Sequence, residues 1–145
     1  NFFKGHNIIK PIIPLKNSVA CYHKFLIRLD RDFLNCSSLK FSKEIQKFGI
    51  PLKKVNINKN WDLLHRHPHF NPKKKPSRGL PWLNKNYKGK MRSIKLYKNF
   101  KFPIIENIID NELLELPIDP LINKNTILKA CKIMDLISKK YNKNL

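Results

Sequence analysis

Between Val19 and Leu29 nearly every position is apolar, with His23, Lys24 and Arg28 the exceptions, and that density predicts a buried strand. Beyond Asp30-Arg31-Asp32 the rhythm changes. Leu34, Ser38, Phe41, Ile45 and Phe48 recur at steps of four, three, four and three, one face of a helix, with Lys40, Lys43, Glu44 and Lys47 mostly elsewhere. Phe41, Ile45 and Phe48 are expected in the core, and Gly49 followed by Ile50-Pro51 is expected to stop the helix. From Leu52 to Leu64 the pattern suits a strand, with Val55, Ile57, Trp61 and Leu63 spaced by two, four and two. Met91, Ser93, Lys95 and Tyr97 alternate with Arg92, Ile94 and Leu96, predicting another strand. Ile105, Ile108, Ile109, Glu112 and Leu113 predict a second short helix. The stretch from Leu114 to Ile122 reads as extended, and Pro117 and Pro120 suggest an edge position. A final stripe of Ile127, Ala130, Cys131, Met134, Ile137 and Tyr141 predicts a helix from Asn125 or Thr126 to about Lys140.

The order strand, helix, strand, loop, strand, helix, strand predicts an α+β chain. The arrangement expected is ferredoxin-like: a four-stranded antiparallel sheet with two helices, a long basic loop between strands two and three, and a C-terminal helix. Residues 1–18, with Pro11 and Pro14 among scattered cations and short apolar pairs, read as an extended arm without its own core. Residues 19–122 form the domain, its loop at 65–90, and 123–145 a helical extension whose apolar stripe lies beyond the closed fold and needs a cover.

Charge narrows the function. The 145 residues carry 30 Lys and Arg against 10 acids, a formal net charge of +20. Residues 1–105 hold 24 of those cations and only four acids, Asp30, Asp32, Glu44 and Asp62, whereas residues 106–145 balance six against six. Such an excess opposes compaction unless a polyanion offsets it. No apolar run approaches the roughly 20 residues that cross a bilayer. The C-terminal helix has no net positive charge to favour anionic lipid, so a protein partner suits it better than a membrane surface. Cys21, Cys36 and Cys131 are odd in number and widely spaced, which fits neither a disulfide framework nor a zinc ribbon and suits a reducing compartment. Asn1 rather than Met at the first position suits a processed or incompletely covered chain, with any leader out of view.

The densest chemistry lies from Arg66 to Arg78, where Pro68, Pro72 and Pro76 interrupt Lys73, Lys74, Lys75 and Arg78. Prolines stiffen a loop and reduce the entropy lost on docking. Arg66 and Arg78 can each fork two hydrogen bonds onto a phosphate, while the lysines act as point charges. His65, His67, His69, Phe70, Trp61 and Trp82 offer flat faces on which unstacked bases can rest, worth roughly 1–3 kcal/mol per base. A lysine run is more often a solvated face than a site, and the tryptophans could equally pack on the sheet; the uneven charge favours the nucleic-acid reading. The candidate RNA-contact set is Arg66, His67, His69, Lys73, Lys74, Lys75, Ser77, Arg78, Lys85, Lys88, Lys90 and Arg92.

These residues resemble the universal small-subunit ribosomal protein S-ten family in its mitochondrial style. The family's loop-opening segment reads W-T-V-x-R-S-P-H-V-x-K-K-S-R. Trp61, Arg66, Pro68, His69, Lys73, Lys74, Ser77 and Arg78 match it in order, with one residue inserted after Leu64 and about three in the loop. Leu114-Glu-Leu-Pro117 is similar to the family's L-D-L-P, Phe48-Gly-Ile-Pro51 to the L-G-I-P of mitochondrial members, and Phe25 to Leu29 stands where an R-I-R-L strand begins. Roughly residues 22–122 are covered. Leu52-Lys-Lys-Val55 departs from the family's P-L-P-T, and the F-x-x-R-T-H-K-R strand is only echoed in Lys90 to Leu96. The departures keep open the mitochondrial large-subunit paralogue of the same fold. The resemblance implies a non-catalytic ribosomal protein of the small-subunit head. Its partners would be ribosomal RNA and the head proteins S-three, S-nine and S-fourteen, in the mitochondrial matrix or alternatively a plastid-type organelle.

Other chemistries find less support. His65, His67 and His69 would point the same way in an extended segment, and three imidazoles can hold zinc. No Cys lies near them, the one nearby carboxylate is Asp62, and three lysines follow, so neither a metal nor another cofactor is expected. Four glycines supply no phosphate-cradling loop, and no Ser, Thr or Cys sits in the surroundings of an activated nucleophile, so neither catalysis nor a small-molecule substrate is expected.

Overall fold

The structure is a computed structural model that describes residues 2–55, 63 and 101–144. Compactness divides the chain into two units, Asn1–Ile57 with Asn107–Leu145, and Asn58–Glu106. The first is an α+β unit built on a four-stranded antiparallel sheet. Its strands are β1 (Ile9–Pro11), β2 (Lys24–Leu29), β3 (Lys53–Lys54) and β4 (Leu113–Pro117), in the order β1-β2-β4-β3. Helix α1 (Ser38–Gln46) connects β2 to β3. Both strands run antiparallel to β4, so β2-α1-β3 is a split β-α-β unit with β4 inserted between its strands. The second unit lies mostly outside the described residues. Its end opens helix α2 (Pro103–Asn107), where Pro103 takes the first helical position and Glu106 accepts the Phe102 N–H at 3.0 Å. A wider turn, Ile108–Glu112, carries the chain into β4.

Registry sorts the side chains. Ile9 faces Leu29, Ile27 faces Leu114 and Phe25 faces Leu116, all on the face that meets the helices. Phe41 and Ile45 of α1, Met134 and Ile137 of helix α3 (Lys124–Lys140), Leu34 and Leu52 complete one buried cluster. Lys54 shares the register of Leu114 on this face.

The extended-arm reading of residues 1–18 is corrected at its first half. Phe3, Ile8 and Ile9 are core residues, and β1 pairs with β2, Ile12 N–H continuing to the Leu26 carbonyl at 3.0 Å. A three-residue strand ending at Pro11 is too short to display a period of two, so the pattern could not reveal it. The expected strand 91–97 and the loop 65–90 lie outside the described residues. β4 is central rather than at an edge. Pro117 ends it and Pro120 lies beyond it, where a missing N–H removes no ladder bond.

In α1, Ser37 caps the first turn by accepting the Lys40 N–H at 3.1 Å, and Ser38, Phe41, Ser42 and Ile45 face inward. Gly49 takes φ +76°, its N–H bonding the Gln46 carbonyl at 2.9 Å, so the helix stops where expected. Because the helix ends at Gln46, Phe48 leaves the inward stripe and is 54% exposed; its expected core role is corrected.

Asn123 caps α3 by accepting the Thr126 N–H at 2.9 Å, and the expected stripe is buried at Met134 and Ile137. This helix is not an appendage awaiting a cover over its whole length. Its second half packs on α1, while Ile127 near its start stays exposed. The chain beyond it returns to the fold. Tyr141 O accepts the Asn35 N–H at 2.7 Å and Phe33 O the Lys143 N–H at 2.9 Å.

Candidate nucleic-acid interface

The sheet face opposite the core is where this unit gathers sheet-borne charge. Side chains opposite one another across a ladder share a face, so Lys10 and Arg28, Lys53 and Glu115, and then Lys24 by alternation along β2, fall together. Two carboxylates partly offset the four cations. Lys24 Nζ lies 2.9 Å from both oxygens of Glu115, and Arg28 Nε donates to Glu112 Oε2 at 2.6 Å. The Arg28 side chain remains 51% exposed, whereas that of Glu112 is only 7% exposed.

Glu112 is the site residue that sequence reading assigned only to an amphipathic stripe. The wide turn Ile108–Glu112 aims it inward, and its second oxygen accepts Asn107 Nδ2 at 2.7 Å. Both carboxylate oxygens are thus satisfied, which a buried charge requires. A Glu within an otherwise apolar stripe was the available signal. Its partner lies 84 residues away in sequence and left none.

A second polar cluster fastens the N-terminal segment to α3. His6 Nδ1 accepts the N–H groups of Ile8 (3.1 Å) and Ile9 (2.9 Å), which places the ring proton on Nε2. Nε2 faces Ser138 Oγ at 3.1 Å and Asp135 Oδ1 at 3.4 Å, while the Ser138 hydroxyl donates to the Asp135 carbonyl at 2.6 Å. Burial lowers the imidazole pKa below its ordinary 6.5. Asp135 opposes that shift, and the charges of Lys10 and Lys139 reinforce it. Ser, His and Asp together invite comparison with an acyl-transfer triad. In a triad the nucleophile and the acid occupy opposite ring nitrogens. Here both meet Nε2 and backbone amides occupy Nδ1, so the cluster is a fastening.

Burial raises the thiol pKa of both half-buried cysteines, Cys36 and Cys131, which keeps them in the unreactive protonated form. Cys21 is exposed, and all three thiols are free.

The residues singled out from sequence for RNA contact, Arg66, His67, His69, Lys73, Lys74, Lys75, Ser77, Arg78, Lys85, Lys88, Lys90 and Arg92, lie outside the described residues, as does the His65-His67-His69 trio. In sequence this whole set falls between β3 and α2. Among the described residues no group of three or more His, Cys, Asp or Glu is placed to hold a metal ion. No helix there is long and apolar enough to cross a membrane. In comparisons with known proteins, no protein-family model, no curated protein and no solved structure matches the chain.

Proposed function

We propose that the chain is a structural protein of the small ribosomal subunit, seated in its head. It binds ribosomal RNA through the basic loop and contacts neighbouring ribosomal proteins through its α+β unit. Mitochondrial ribosomes are the setting the resemblance favours. The observation that carries this reading is the segment from Trp61 to Arg78, where eight residues match the S-ten pattern in order. Charge supports it independently: residues 56–100 contain twelve Lys and Arg and a single acid, Asp62. So cationic a segment between β3 and α2 in sequence suits a task in which the fold positions and the segment touches phosphate. The departures at Leu52-Lys-Lys-Val55 and at Lys90 to Leu96 leave room for the large-subunit paralogue of the same fold.

The test is a salt titration of the purified full chain against small-subunit ribosomal RNA. With about 6–10 phosphates engaged, affinity falls roughly 10³–10⁵-fold between about 50 and 200 mM salt. Replacing Lys73, Lys74, Lys75 and Arg78 by Ala flattens the dependence by roughly one unit of slope per phosphate contact removed. Equal binding by the parent and this variant at every salt concentration would contradict the loop's role.

A further inference from the structure

The packing of α1 on α3 leaves a concentration of positive charge that neither the loop nor the sheet face explains. Lys40 of α1 and Lys140 of α3 approach the same ring, that of Tyr141, with ammonium-to-centroid distances of 5.2 and 5.3 Å. Lys47, the residue that closes α1, pairs with Glu44, which also takes Lys140 at 3.5 Å. Two further cations are fixed beside them. Lys143 Nζ donates to the Arg31 carbonyl at 2.8 Å, and the Arg31 guanidinium donates to the Cys36 carbonyl. Among the described residues, Glu44 is the carboxylate that pairs with members of this group. Lys40, Lys47 and Lys140 therefore gather about one acid and one aromatic ring, and Lys143 is tied to the backbone of Arg31, which stands between Asp30 and Asp32 in sequence. The side chains of Lys47 and Lys140 are 67% and 59% exposed.

Cation–π contact and one shared carboxylate hold such a group in place without neutralising it. Backbone hydrogen bonds from Asn35 N–H to the Tyr141 carbonyl and from Lys143 N–H to the Phe33 carbonyl fix the segment that carries Tyr141 and Lys143. A preorganised array of cations spread over two helices and a chain end matches the repeating charge of a nucleic-acid backbone better than a single small anion. The geometry points to the Tyr141-centred patch of Arg31, Lys40, Lys47, Lys140 and Lys143 as a second RNA-backbone contact, carried by the α+β unit and separate from the loop. It rests on the reading that the partner is RNA. It binds phosphodiester groups without reading sequence, and so orients the domain while the loop makes its own contacts.

The test compares three variants of the full chain in salt-titrated binding to a labelled mixed-sequence RNA hairpin. In the first, Lys40, Lys140 and Lys143 become Gln; in the second, the same residues become Arg. The third is a control of equal charge change, with Lys124, Lys129 and Lys132 on the exposed first half of α3 made Gln. The expected result is a salt slope lower by about two to three and binding roughly ten- to a hundredfold weaker for the first variant. The Arg variant retains binding, the control stays near the parent, and circular-dichroism melts show every variant folded. An equal loss in the control would assign the effect to net charge and overturn the proposal. Full binding by the first variant would overturn it while leaving the RNA reading intact. If the parent itself ignored RNA and instead bound vesicles containing phosphatidylserine, both readings would fall.

Discussion

The imidazole of His6 accepts two backbone hydrogen bonds at Nδ1, so a proton added there displaces both, and it does so beside the Lys10 and Lys139 charges. Burial already holds the folded-state pKa below 6.5. The unfolded chain therefore takes up this proton first as pH falls. The linked stability is fully present above about pH 6.5 and is lost progressively as pH drops through the folded-state value. Urea unfolding of the parent and of His6→Ala across pH 5–8 is expected to show a gap that narrows toward acid; a gap independent of pH would remove His6 from the account. Arg28 makes a different kind of claim. Truncating it to Ala leaves the Glu112 carboxylate buried with Asn107 as its remaining partner among the described residues. Because Arg28 is half exposed, the expected cost is moderate, about 1–3 kcal/mol, read as a lower urea midpoint at unchanged slope. Arg28→Ala together with Glu112→Gln is expected to recover part of that loss.

Elements differ in how much the sequence reveals of them. Phe41→Ala opens a cavity beneath α1 and is expected to cost about 3–5 kcal/mol, whereas Phe48→Ala, beyond the helix end, should change stability by less than about 0.5 kcal/mol. Thermal or urea unfolding of the two variants separates them, and comparable losses would contradict the helix boundary. Long periodic elements with their own stop and start signals are legible. α1 ends at its Gly49 signal, and the α3 stripe is read correctly at Met134 and Ile137. Short elements and those fixed by distant partners are not. β1 spans three residues and gains its place from Ile9 opposite Leu29, a pairing no local pattern encodes. β4 reads as an edge because prolines follow it, yet its apolar Leu114 and Leu116 belong to a central strand between β2 and β3. The Arg28–Glu112 pair and the His6 fastening join residues more than eighty positions apart, so neither was legible from local sequence. The basic segment expected as a loop is legible as composition and motif, and it lies outside the described residues.

At the scale of the whole molecule the governing quantity is a net charge of +20 spread over 145 residues, concentrated before residue 106. Within the α+β unit part of that charge lies on the second sheet face and part on the α1–α3 patch, and in sequence a further share falls between β3 and α2. Self-repulsion of this size is relieved by a polyanion, which the proposed ribosomal setting would supply. The most direct measurement is sedimentation of a gentle lysate containing the tagged full chain through a magnesium-containing gradient, with the co-migrating RNA identified. The account predicts migration with small-subunit RNA, lost when Lys73, Lys74, Lys75 and Arg78 are replaced by Ala. Migration with large-subunit RNA would move the chain to the paralogue of the same fold, and a chain that stayed at the top of the gradient as free protein would contradict the ribosomal assignment.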